Sequence, residues 1–155
     1  MITRILDETE LDPSYIVLEI TEGTLIKNVK YGVQVMEDIT KMGIRISMDD
    51  FGTGYSSLSQ LERLPISEMK LDRSFIQGLT DDSRKLSLVR AVIELGHHME
   101  LKVVAEGIES ADDLKYLTEL KCDQFQGYFF SKPLSSKEFS GFVRDWDSTA
   151  LSSDN

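Results

Sequence analysis

Six acidic residues fall in three close pairs, each at the end of a short apolar run: Glu19 with Glu22, Asp49 with Asp50, and Glu106 with Glu109. Lys70 sits in a fourth run and Gln126 in a fifth. Carboxylates brought into one cleft repel one another unless some take up protons or a cation neutralises them. A donor set made only of oxygen favours Mg²⁺, Mn²⁺ or Ca²⁺ over zinc. Adjacent Asp49 and Asp50 suit two ions about 3.5–4 Å apart, with one carboxylate bridging them; such a pair can clamp the attacking and leaving oxygens of a phosphodiester. A lysine among these acids would orient a water or offset charge building on a phosphate oxygen, or simply serve as a structural ion-pair partner. Any one acid at a strand end can equally cap the following helix. The run Asp49-Asp50-Phe51-Gly52-Thr53-Gly54 is unusual as mere capping, because a double acid and a Gly-x-Gly turn follow directly on an apolar strand. Its glycines permit tight backbone turns, and the segment does not form a dinucleotide fingerprint.

These residues need a scaffold that brings strand ends together. The apolar runs lie at 15–20, 44–48, 69–71, 103–105 and, more weakly, 122–128. The first four are short and lack clean polar alternation, as buried parallel strands do. Helical patterns separate them. Val33, Met36 and Ile39 recur at helical spacing before Gly43, and Leu58, Leu61 and Leu64 form a stripe ending before Pro65. Leu86, Val89 and Ile93 make the next face. Ser110 with Asp113, and Ser135 with Glu138, have the spacing of capping boxes. The second box opens a stripe of Phe139, Phe142, Val143 and Trp146, expected to pack. The alternation is therefore α/β, about five parallel βα units. An open doubly wound sheet and an incomplete TIM-like (β/α)8 barrel both fit it, a full barrel needing about 250 residues. In either, the carboxyl ends of the strands share one face, where ligands bind.

Composition narrows the partners. The chain has 155 residues, 27 acidic and 17 basic, for a formal charge of −10. A chain this acidic is a poor generic binder of duplex nucleic acid, and a nucleotide ligand would need local positive charge, most simply from metal ions. Cys122 is the sole cysteine, which excludes an intrachain disulfide or a cysteine zinc cluster. No apolar run approaches the roughly 20 residues of a membrane span. The first residues lack a signal-peptide pattern. These features carry the expectation of a cytoplasmic chain without direct membrane contact, with one domain at 1–147 and a disordered tail at 148–155. His97 and His98 adjoin a helix end and read as solvated or dipole-pairing residues.

Five segments together resemble the EAL domain, the bacterial phosphodiesterase module that linearises cyclic di-GMP. They are Leu18-Glu-Ile-Thr-Glu22, Asp49-Asp-Phe-Gly-Thr-Gly-Tyr-Ser-Ser-Leu58, Lys70-Leu-Asp-Arg-Ser-Phe-Ile76, Val104-Ala-Glu-Gly-Ile-Glu109, and Gln126-Gly-Tyr128 with Lys132-Pro-Leu134. They occur in the family's order. The resemblance implies a TIM-like barrel of which this chain supplies strands four to eight, two Mg²⁺ or Mn²⁺ ions, and hydrolysis of cyclic di-GMP to linear pGpG. By the same resemblance Glu19, Asp49, Asp50 and Glu106 are metal ligands, with Asp49 bridging. Glu106 is alternatively the base toward the attacking water, and Lys70 holds that water or a phosphate oxygen. Glu22 would anchor the loop containing Phe51, Gly52, Thr53 and Gly54, which the family couples to dimerisation. Glu109 and Gln126 would support the site. The Glu-Ala-Leu motif that names the family does not occur in these residues, nor do the family's Asn ligand before Glu19 and the arginine that meets substrate phosphate. The resemblance thus implies either a homodimer or association with the rest of a barrel. A non-catalytic nucleotide-sensing or interaction module is the alternative to an enzyme, and without the resemblance a phosphodiesterase for another ester also fits the residues.

Overall fold

The computed structural model describes residues 2–21, 29–52, 58–80 and 82–146. Five strands, β1 (Val17–Thr21), β2 (Arg45–Phe51), β3 (Glu68–Leu71), β4 (Lys102–Glu106) and β5 (Gln124–Gln126), form one sheet. Seven α-helices accompany them among the described residues: α1 (Ile2–Thr9), α2 (Val29–Lys41), α3 (Leu58–Leu61), α4 (Arg73–Ile76), α5 (Ser83–His98), α6 (Ala111–Glu119) and α7 (Ser136–Asp145). Every adjacent strand pair is parallel, and the spatial order is the sequence order, β1-β2-β3-β4-β5. A doubly wound sheet reverses its order at a switch point. This sheet never does. It is an arc of a TIM-like barrel, with β1 and β5 at its two edges among the described residues.

Each strand has two faces because successive side chains point to opposite sides. One face is apolar: Met69, Leu71, Val103 and Ala105 join Val89 and Ile93 of α5 and Leu117 of α6 in a buried cluster. Ile46 and Met48 do the same with Met36 of α2 and Leu61 of α3. Phe51 packs against both clusters and ties them together. The opposite face is polar and carries Glu19, Ser47, Asp49, Glu68, Lys70 and Glu106, so the alternation not evident in the apolar runs is present once the flanking residues are included. All four residues of β3 are nevertheless buried, since β3 has a neighbour on each side and helices behind.

The helices start and stop where local chemistry dictates. Ser110 and Asp113 form a reciprocal capping box on α6, and Ser135 and Glu138 form another on α7. Asp82 accepts hydrogen bonds from the N–H groups of Arg84 and Lys85 to start α5. Two expectations need correction. The Leu58–Leu61–Leu64 stripe spans only one helical turn, since α3 ends at Leu61, although Leu61 and Leu64 are buried as the spacing requires. The α7 stripe does not pack as expected: Phe139 is 56% and Val143 54% exposed. Only Phe142 and Trp146 find aromatic partners, with ring centroids 5.0 Å apart and Phe130 at 6.2 Å from Trp146. Nothing among the described residues covers the rest of that face. The expected tail at 148–155 lies outside the described residues.

Candidate functional site

The centre of the polar face is Lys70. Its side chain is only 7% exposed, and its ammonium lies 2.7 Å from Glu19 Oε1, 2.7 Å from Glu106 Oε1 and 3.4 Å from Asp49 Oδ1. The acids come from β1, β2 and β4, while the lysine comes from β3 between the last two. Neighbouring strands are about 4.8 Å apart, so Glu19 stands roughly 10 Å of backbone away from Lys70. Only two long side chains can bridge that span, and Lys and Glu do so. Three carboxylates facing one ammonium leave a formal excess of two negative charges at the strand tips.

Burial alone would draw the Lys70 pKa down. The hydrogen bonds to Glu106 and Glu19, with the charges of Glu106 and Asp49, outweigh it and push the pKa above the ordinary lysine value, so the ammonium keeps its proton. The cluster is not saturated. Asp49 Oδ1 and Ser47 Oγ are buried without a hydrogen-bond partner, and the former lies at ion-pair distance, 3.4 Å, from the ammonium. A buried carboxylate oxygen with spare accepting capacity is costly to keep unless something else uses it.

Asp50 does not reach Lys70's set of ion pairs. It follows Asp49 at a place where regular pleating would turn it toward the helix-side core. The register shifts between Met48 and Phe51, and Asp50 takes a φ of +54°, so the alternation breaks there. Asp tolerates that left-handed conformation better than most residues. Gly52 continues the turn at φ +92°, and a Cβ on it would lie 2.5 Å from the Phe75 ring of α4, so a larger residue would be strained and would have to displace that ring. The tight-turn role expected of Gly52 is therefore met. Gln126 is in register with Glu106 across β4 and β5, beside the cluster. Glu109 is exposed on the loop after β4, where its N–H approaches Asp113 Oδ2 at 3.4 Å, and it lies outside the cluster. Glu22, Thr53 and Gly54 lie outside the described residues.

The donors are chemically suited to hard dications: carboxylate oxygens only, on a rigid sheet, with one buried oxygen unsatisfied. Among the described residues, however, no three acids are spaced to hold an ion as they stand. They are drawn around an ammonium instead. Two residues were not anticipated. Ser47 and Glu68 are buried on the polar face below the cluster, at 0% and 9% exposure. The period-2 patterns Arg45-Ile-Ser-Met-Asp49 and Glu68-Met-Lys-Leu71 carried that signal. His97 pairs with Asp123 at 3.0 Å, and His98 Nδ1 meets the Glu94 carbonyl at 2.7 Å, both on helix α5 and away from the carboxyl ends of the strands.

A parallel barrel arc whose carboxyl-end tips gather acids around a lysine defines an α/β protein with an oxygen-donor polar site. The chain belongs to the EAL domain family, whose model matches residues 1–133. It is 43% identical over 133 residues to the bifunctional diguanylate cyclase/cyclic di-GMP phosphodiesterase MucR of Pseudomonas aeruginosa, covering 86% of this chain and 19% of MucR. It is 40% identical over 139 residues to the cyclic di-GMP phosphodiesterase NbdA of the same organism, covering 90% of this chain and 18% of NbdA. The chain thus spans about a fifth of the length of these curated relatives. The c-di-GMP complex of the PaMucR phosphodiesterase superposes with a TM-score of 0.84 at 40% identity, covering 89% of this chain and 56% of that one. The manganese and cyclic di-GMP complex of Klebsiella pneumoniae BlrP1 gives a TM-score of 0.78 at 28% identity, over 85% of this chain and 34% of that one. The chain is a partial EAL domain, and no described helix is long and apolar enough to cross a membrane.

Proposed function

We propose that this chain carries most of the site of a metal-dependent cyclic di-GMP phosphodiesterase, which opens the cyclic dinucleotide to linear pGpG. The observation that carries the reading is the meeting of Glu19, Asp49 and Glu106 at Lys70 from four consecutive strands. Relatives named as cyclic di-GMP phosphodiesterases, and a neighbour solved with manganese and the dinucleotide, supply the substrate class. In this reading Glu19, Asp49 and Asp50 would hold two Mg²⁺ or Mn²⁺ ions, and Glu106 would be a further ligand or else the base toward the attacking water. When bound, the ions polarise a phosphodiester oxygen and lower the pKa of water.

The chain's own residues do the rest. As the base, Glu106 accepts a proton from the attacking water at a carboxylate oxygen, with Gln126 in register beside it as a supporting residue. Lys70, charged throughout the neutral range, donates a hydrogen bond to that water or to a phosphate oxygen as charge builds there. Asp50 and Gly52 set the turn that begins the loop after β2. Glu22 anchors that loop and Glu109 supports the rim. The same reading places the chain in the cytoplasm as strands four to eight of the barrel, acting as a homodimer or with the remaining strands.

Incubation of the chain with cyclic di-GMP and Mn²⁺, followed by product analysis by liquid chromatography and mass spectrometry, tests the proposal. Linear pGpG is expected, absent with EDTA and absent in Asp49→Asn. Turnover that persists in Asp49→Asn would end the two-ion assignment. A second reading rests on one observation: among the described residues no three acids are spaced to hold an ion. On it the chain binds the dinucleotide without cutting it. Calorimetric binding without linear product would select that reading.

A further inference from the structure

The ammonium of Lys70 stands at the meeting point of three carboxylates, where a cation would be expected. Its contacts of 2.7, 2.7 and 3.4 Å are set by nitrogen–oxygen packing. A magnesium ion draws its oxygens to about 2.0–2.1 Å, so the same acids must close in by about half an ångström or more before they can share one. They cannot do so while the ammonium lies between them, and no described trio of acids is spaced for an ion. The geometry points to Lys70 as an internal counter-cation: it assembles the acidic tips without metal, and it must withdraw from Glu19 and Glu106 for a divalent cation to enter. This inference rests on the proposed metal-binding role of those acids and adds that metal entry and the Lys70 ion pairs are mutually exclusive.

Two features give the exchange a direction. Glu19 is 52% exposed on edge strand β1, so it is the carboxylate most readily released from the lysine. Asp49 Oδ1 is buried and accepts no hydrogen bond, so it keeps its accepting capacity for an incoming ion. Once displaced, the ammonium is confined to the same polar face. That is where the proposed function needs a donor toward water or phosphate, so a single side chain would serve as placeholder before metal entry and as donor after it.

The test is Mn²⁺ binding by the full chain, read by calorimetry and by the electron paramagnetic resonance signal of unbound Mn²⁺. Lys70→Met keeps the side-chain length and removes the competing charge. Its Mn²⁺ affinity should rise by about tenfold or more, the scale on which a charged neighbour tunes a metal site. Lys70→Arg, which keeps the charge, should gain nothing. Lys115→Met removes a charge from the exposed surface of α6 and should match wild type, separating a local effect from the chain's overall charge. Equal or weaker Mn²⁺ binding by Lys70→Met than by wild type would overturn the placeholder while leaving the metal site standing. Absence of Mn²⁺ binding in all four proteins would overturn both. If Lys70→Met does not fold, the wild type still decides: the Lys70 ammonium resonance should change on Mg²⁺ addition. Mg²⁺ binding that leaves this resonance unmoved would refute the exchange.

Discussion

Replacing Gly127 by alanine probes how the tips of β4 and β5 are held together. A Cβ at Gly127 would fall on the backbone of Ile108, closest to its carbonyl oxygen and its nitrogen. Ile108 is fully buried and belongs to the loop that directly follows Glu106. Its N–H donates to the Gln126 carbonyl at 3.1 Å, and its carbonyl accepts from the Phe129 N–H at 2.9 Å. Backbone cannot rotate aside as a side chain can, so the loop must move and both hydrogen bonds must lengthen. At about 0.5–1.5 kcal/mol for each of the two bonds and about 1–3 kcal/mol for the overpacking, Gly127→Ala should lose about 2–6 kcal/mol. For a chain of this size that lowers Tm by about 4–24 °C. Gly141 offers the matched control, since it lies within α7 and a Cβ there meets nothing within 4 Å. Gly141→Ala should gain up to about 1 kcal/mol from helix propensity alone. Urea unfolding followed by circular dichroism measures both. A Gly127→Ala variant as stable as Gly141→Ala would refute the packing described for the β4–β5 tips, and with it the placement of Glu106.

Further outcomes follow from other residues. Ser110→Ala removes the hydroxyl that accepts the Asp113 N–H at 3.1 Å and should cost about 1 kcal/mol in urea unfolding, whereas Ser110→Asp should recover most of it. Burial raises the Cys122 thiol from 9.0 to about 11, an effect only partly offset by hydrogen bonding with the Gln124 backbone. The folded state therefore holds the thiol proton more tightly than the unfolded chain does. The resulting stability is complete below pH 9 and lost as pH rises toward 11, so the stability of wild type relative to Cys122→Ala should fall across that window. The same burial should leave Cys122 unreactive toward a thiol-disulfide reagent at pH 8 until urea unfolds the chain.

Much of this protein is legible without coordinates. Strand and helix positions follow from short apolar runs and helical stripes, because the apolar face of each element must be buried. The two capping boxes are local motifs, complete within four residues each, and both form. The strand-tip acids are identifiable because parallel βα units place every carboxyl end on one side. What the chain order does not contain is the distance between tips. Glu19 and Lys70 are 51 positions apart and meet only because β1, β2 and β3 pair in that order and in that register. Tertiary structure also decided that adjacent Asp49 and Asp50 are not equivalent, since a register shift and a left-handed φ separate them. It decided as well that the acids close around an ammonium, because in a half-buried cluster the nearest charge of opposite sign sets the spacing. Local sequence specifies which residues want burial and where helices begin. The long-range pairing of strands alone determines which charges meet.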